Sequence, residues 1–171
     1  MAGLISEQEL IAAARTLLDL CRARKLAVAA AESCTGGLVA ATLTEIPGSS
    51  DVFDRGFVTY SNDAKHAMLG VPLAMLASFG AVSRETAEAM ARGALERSPA
   101  NLAVAITGIA GPGGALPGKP VGLVHFAAAA RGGGLSHVER RFGDIGRTEV
   151  RRASVAQALA MLRELALLQP A

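Results

Sequence analysis

Residues 25–46 read KLAVAAAESCTGGLVAATLTEI. The opening KLAVAAA (25–31) is a short apolar run without alternation, the pattern of a strand buried on both faces, and it ends at Glu32. The closing LVAATLTEI (38–46) reads as a helix, with Gly36 and Gly37 in its first turn and PGSS (47–50) stopping it. A strand that gives way to a helix through a few polar residues is the building unit of a sheet with helices packed on it. The turn also holds three candidate nucleophiles in succession, Ser33, Cys34 and Thr35.

Outward from this unit the same alternation continues. Ser6 followed by Glu9 forms a capping box, and Leu10, Ala14, Leu17 and Cys21 recur at helical spacing, which predicts a helix over 7–23. RGFVTYSN (55–62) reads as a strand and then a turn, and DAKHAML (63–69) as a helical turn or two ended by Gly70 and Pro72. A turn-rich piece leads to Ser83, which caps a helix through about residue 97 that buries Ala87, Met90, Ala94 and Leu95. NLAVAIT (101–107) is the clearest central strand, followed by the loop GIAGPGGALPGKP (108–120). VGLVHFAAAA and LSHVERRF flank the glycines at 132–134 as a hairpin, and a last helix over 148–168 carries Val155, Leu159, Leu162 and Leu165 on one stripe. The expected fold is a single α/β domain, a mixed sheet with helices on both faces.

Composition narrows the function. The 171 residues suffice for one domain with a core, and 51% hydrophobic types argue against disorder. Only 4% are aromatic and the formal charge is +2, so base stacking and polyanion binding have little to work with, and no nucleic-acid partner is expected. Two cysteines without a pairing pattern make a disulfide scaffold or structural zinc site improbable. The N-terminal segment has acidic residues where a secretory leader would be basic, and the run VHFAAAA (124–130) is too short to cross a bilayer. A soluble cytoplasmic protein without a membrane partner is the expectation.

Open α/β sheets bind ligands beyond the carboxyl ends of their strands. Three polar segments, 32–37, 59–65 and 107–114, fall at such ends. Unpaired N–H groups at a helix start favour negative charge, and Gly36 and Gly37 would let a ligand approach the backbone. A serine hydroxyl needs a base. His66, His125 and His137 have no evident acidic partner in the sequence, so a Ser-His-Asp arrangement is disfavoured. Lys65 can serve if burial lowers its pKa, and Tyr60 can relay a proton or hold the lysine. Glu32 can orient Lys65 but would also favour its charged form. GIAGPGG (108–114) is neither a Walker loop nor a Rossmann fingerprint, yet its peptide groups suit a planar or anionic ligand, with Thr107 and Lys119 as further contacts. Spacing alone leaves Ser33, Thr35 and Cys34 all open as nucleophile.

The ordered strings AESCTGG (31–37), RGFVTYSNDAK (55–65), GAVS (80–83) and TGIAGPGG with KPVG (107–122) resemble the CinA C-terminal domain family over roughly residues 7–166. The resemblance implies a three-layer α/β/α sandwich with a mixed, mostly parallel sheet and a late hairpin. It also implies a homo-oligomer, dimer or larger, with no metal or organic cofactor. The implied activity is hydrolysis of the carboxamide of nicotinamide mononucleotide to nicotinate mononucleotide and ammonia. The family's serine, lysine and tyrosine correspond to Ser33, Lys65 and Tyr60. The expected substrate contacts at the strand ends and on the loop are Glu32, Cys34, Thr35, Gly36, Gly37, Asn62, Thr107, Gly108, Gly111, Gly113, Gly114, Lys119 and Arg147. The chain departs from the family at Ala115 and Leu116, where many members carry small and hydroxylated residues. It departs again at GDIGR (143–147), which aligns Arg147 with a family arginine only across two extra residues; Arg147 or Arg151 would then meet a phosphate. Two other readings keep the scaffold: a nucleotide-binding protein without catalysis, and an amidase for a different small amide.

Overall fold

A computed structural model describes residues 4–170. The chain runs α1 (Glu7–Ala23), β1 (Val28–Glu32), α2 (Leu38–Thr44), a 3-10 turn at Ser49–Asp51, β2 (Phe53–Val58), α3 (Asn62–Leu69), α4 (Leu73–Phe79) and α5 (Arg84–Glu96). It continues through β3 (Leu102–Gly108), β4 (Leu123–Ala130), β5 (Leu135–Arg141) and α6 (Arg147–Leu167). The strands form one sheet in the order β2-β1-β3-β4-β5. β1 pairs parallel with β2 and β3, and β4 runs antiparallel to both β3 and β5, so β4 alone opposes the common direction. The expected α/β/α sandwich with a mixed sheet and late hairpin is what the chain adopts, two of its four strand pairings being parallel.

The two faces of the sheet are built from different side chains. Val28, Leu102, Val104, Ile106, Val124 and Phe126 pack with α1, α2 and α6. On the opposite face Ala29, Ala103 and Ala129 lie in register across three strands, and Ala31, Ala105 and Ala127 form a second such row. Methyl groups make this face nearly flat, so α5 lies close against it through Ala87, Met90, Ala91 and Ala94. Gly93 carries the same logic to the helix layer, because a Cβ there would collide with the Leu69 carbonyl at the end of α3.

Local signals explain the ends of the elements. The Ser6 hydroxyl accepts from the Glu9 amide while Glu9 accepts from the Ser6 amide, the capping box read from the sequence. Ser61 and Ser83 cap α3 and α5. Two expectations change. The segment leading to Ser83 contains a helix, α4, bracketed by Pro72 and Gly80 and too short to show a full apolar stripe. Gly36 and Gly37 precede α2 instead of opening it; both have positive φ, 56° and 99°, in the turn that swings the chain from β1 into the helix.

Candidate active site

Parallel pairing of β1 with β2 brings their carboxyl ends together, with Glu32 opposite Val58 as the last matched pair. The next residues, Ser33 and Thr59, therefore leave the sheet side by side. The Thr59 amide donates to the Glu32 carbonyl at 2.8 Å and the Ser33 amide to the Ile106 carbonyl of β3 at 3.0 Å. Two residues beyond Thr59 the chain enters α3 through the Ser61 cap, whose first turn carries Lys65 back over the strand ends.

Lys65 is 1% exposed, one of the largest fully buried side chains among the described residues and the one ionisable side chain of that group. Its Nζ lies 2.8 Å from Ser33 Oγ and donates to the Thr59 carbonyl at 2.8 Å. Among the described residues no carboxylate forms an ion pair with it. Burial lowers its pKa to about 8. A neutral amine that donates to Thr59 keeps a lone pair able to accept the Ser33 hydroxyl proton.

The two neighbouring candidates are placed differently. Burial pushes the Cys34 thiol up to about 12, so at neutral pH it is protonated and puts no charge beside Lys65. Thr35 is fully buried, its hydroxyl has no hydrogen-bond partner among the described residues, and it does not line the cavity in front of Ser33. The amides of Cys34 and Thr35 have no acceptor among the described residues, whereas that of Gly36 turns inward to the Ser33 carbonyl.

A cavity of about 270 Å³ opens before the Ser33–Lys65 pair. Eleven of the residues singled out from the sequence line it: Ser33, Cys34, Tyr60, Asn62, Lys65, Thr107, Gly108, Gly111, Gly113, Gly114 and Arg147. Thr107 donates to the Ala81 carbonyl at 2.7 Å, which fixes Ala81 and Val82 as a small apolar wall that sequence reasoning had not assigned to the site. The GAVS string was the available signal. Ile109 and Ala110 complete that side.

Other expected contacts lie elsewhere. Glu32 is fully buried and accepts from the Val39 and Ala40 amides at 2.9 and 3.0 Å; it caps α2 and does not orient Lys65. Gly36 and Gly37 sit outside the cavity lining, against Arg151 and Val58. Lys119 donates to the Phe79 carbonyl and ties the 108–120 loop to the end of α4. Arg151 donates to the Thr35 carbonyl at 2.9 Å and braces the turn behind Ser33. The Tyr60 hydroxyl, expected near Lys65, accepts instead from Arg147 Nη2 at 2.8 Å. Arg147 Nη1 donates to the Gly111 carbonyl at 2.9 Å, so one guanidinium bridges Tyr60 and the glycine loop across the cavity mouth. No carboxylate pairs with Arg147 among the described residues, which leaves its charge available to an anion.

The chain as a whole has relatives among known proteins. Residues 10–166 match the CinA C-terminal domain family. The chain is 48% identical over 159 residues to the nicotinamide-nucleotide amidohydrolase PncC of Escherichia coli, covering 92% of this chain and 95% of that protein. It is 56% identical over 126 residues to a CinA-like protein of Chlorobium phaeovibrioides, covering 72% of this chain but 29% of that protein. The chain thus spans about a third of the length of such CinA-like and competence-damage relatives. The crystal structure of the competence/damage inducible protein CihA from Agrobacterium tumefaciens superposes with a TM-score of 0.91 at 57% identity, covering 99% of this chain and 100% of that one.

Proposed function

Because the chain belongs to the CinA C-terminal domain family, we propose that it hydrolyses the carboxamide of nicotinamide mononucleotide, with Ser33 as nucleophile and Lys65 as base. The observation that carries this reading is the 2.8 Å contact between a hydroxyl at the edge of a cavity and a buried amine of lowered pKa. The similarity to an amidohydrolase along nearly the whole of both chains supports the substrate.

In the proposed reaction neutral Lys65 takes the Ser33 proton as Oγ attacks the amide carbon. The carbonyl oxygen gains negative charge, and the uncommitted amides of Cys34 and Thr35 are the donors at hand to stabilise it. Lys65 then delivers the proton to the departing nitrogen, releasing ammonia and leaving a nicotinoyl ester on Ser33. A water, deprotonated by the same amine, attacks the ester; the ester bond breaks, Ser33 regains a proton, and the carboxylate product leaves. The substrate's pyridinium ring is cationic, and a cation beside Lys65 pushes its pKa down further, so substrate binding itself favours the neutral base. Arg147 and the peptide groups of the glycine loop hold the phosphate. Tyr60 positions Arg147, and Lys65 carries the protons.

The same reading makes the protein a cytoplasmic homo-oligomer. No helix among the described residues is long and apolar enough to cross a membrane. Light scattering after size exclusion tests the assembly.

The purified protein should release ammonia from nicotinamide mononucleotide and leave nicotinamide and simple amides largely untouched. Ser33→Ala should lower kcat by at least about 10³-fold, since the nucleophile itself is gone. Saturable nucleotide binding without ammonia release would instead favour a non-catalytic binder, and activity on other amides alone would move the substrate.

A further inference from the structure

The start of α6 carries two arginines one turn apart, and they reach the active site differently. Arg147 lines the cavity mouth, whereas Arg151 does not line the cavity at all. Arg151 Nη2 instead donates to the Thr35 carbonyl at 2.9 Å, within the turn that carries Ser33. A Cβ at Gly36 would lie 3.6 Å from the same nitrogen, so the guanidinium rests against the glycine of that turn. Among the described residues no carboxylate pairs with Arg151, and its Nε is buried without a hydrogen-bond partner. A cation drawn out of water without a counter-ion is costly, yet this one is kept, and its charge-assisted bond goes to the nucleophile turn.

The peptide it grips is held at both ends. The Thr35 carbonyl accepts from Arg151 and from the Leu38 amide at 3.0 Å, and the Gly36 amide of the same peptide unit donates to the Ser33 carbonyl at 2.9 Å. With that unit pinned, the two preceding amides, those of Cys34 and Thr35, are the ones left without an acceptor among the described residues. The charge of Arg151 reaches the same turn. Burial is the largest influence on the Cys34 thiol and pushes it up to about 12, and the field of Arg151 is among those that oppose it.

We propose that Arg151 is a positioning residue for the attack by Ser33: it fixes the turn whose Cys34 and Thr35 amides stabilise the oxyanion, and it adds a fixed positive charge to them without touching the substrate. The inference rests on the reading of Ser33 as nucleophile. No bond or proton changes hands at Arg151. A charge already in place when the oxyanion forms costs no reorganisation at that moment, and in a site short of water its field is weakly screened. The carbonyl oxygen carries its full negative charge only after attack, so the stabilisation falls on the transition state far more than on the bound amide. Arg151 should therefore govern kcat, whereas Arg147, at the mouth, should govern KM.

Two variants of the full chain separate charge from hydrogen bonding. Arg151→Gln keeps a donor for the Thr35 carbonyl and loses the charge, while Arg151→Lys keeps the charge. Each is assayed by ammonia release from nicotinamide mononucleotide and by the rate at which a small alkyl fluorophosphonate labels Ser33, a reaction that uses the same turn but no nucleotide. Arg151→Gln should lower kcat and the labelling rate about 10–100-fold with KM within about twofold, and Arg151→Lys should recover to within about fivefold of wild type. Three results would overturn the inference: Arg151→Gln, folded by circular dichroism, labelling as fast as wild type; Arg151→Lys as slow as Arg151→Gln; or a KM that rises in step with the loss of kcat, which would make Arg151 a substrate contact. Slowed labelling in Arg151→Gln without ammonia release by the wild type would keep the inference and remove only the nucleotide substrate. Wild-type protein whose Ser33 is not labelled at all would overturn both.

Discussion

Lys65 and His125 are both bases that the fold has taken out of water, yet they stand in different company. Lys65 sits where three parallel strands end, faces a serine hydroxyl and looks into a cavity. His125 sits within the antiparallel part of the sheet, faces a second imidazole, that of His137, and does not line that cavity. Burial depresses the pKa of each. A neutral base is therefore inexpensive for this fold to make, and what turns one into a catalyst is the group in front of it. Strand direction decides which group that is. The parallel pairing sets two carboxyl ends together and lets two turns meet over one cleft, while the hairpin returns the chain and covers its own polar groups.

The sharpest way to break the contrast is Lys65→Met, expected to lower kcat by about 10²–10⁴-fold by removing the proton acceptor while leaving the cavity's outline. Stability should move the other way. The folded pKa of about 8 lies below the unfolded value of about 10.4, so the folded state holds fewer protons and wild-type stability rises as pH climbs through that window. At pH 7 the cost of the buried ammonium is fully present, on the order of 3 kcal/mol. The lost bond to Thr59 offsets part of the gain on replacing it. The advantage of the methionine variant over wild type should be visible in Tm at pH 7 and shrink toward pH 10.

Arg147→Ala should act next in size, raising KM for nicotinamide mononucleotide by about 10–100-fold through loss of a charge-assisted phosphate contact. Tyr60→Phe keeps the guanidinium and removes only its 2.8 Å anchor, so KM should rise a few-fold with kcat nearly unchanged. A fall in kcat as large as that of Lys65→Met would return Tyr60 to the proton path. The smallest effect belongs to the other buried base: His137→Ala should leave kcat/KM within about twofold of wild type, and a large loss would mean the two regions are not separate.

The sequence carried the framework well where local chemistry determines it. The Ser6–Glu9 capping box and the apolar 101–107 strand depend on neighbours in the chain, and both elements form within a residue or two of the expected bounds. α4 escaped notice because seven residues between Pro72 and Gly80 display too little of a helical period. The alanine rows are plain as composition, but their alignment across three strands depends on register. The site divides in the same manner. Strand ends point to segments 32–37, 59–65 and 107–114, yet nothing in the spacing places Lys65 on Ser33, because that contact depends on β1 lying beside β2. The long-range bridge from Arg147 to Tyr60 depends on α6 returning to the cleft. Glu32 shows the reverse error: an acidic residue at a strand end suggests a ligand contact, while its side chain satisfies the amides of the following helix.

The direct measurement is the titration of Lys65 itself. Protein carrying ¹³C at the lysine ε position, assigned with Lys65→Met, should show by NMR one amine titrating near pH 8 in the free protein and lower with nicotinamide mononucleotide bound to the Ser33→Ala variant. An amine that stays charged up to the ordinary lysine value near 10.4 in both would contradict the account, since Ser33 would then have no base to receive its proton.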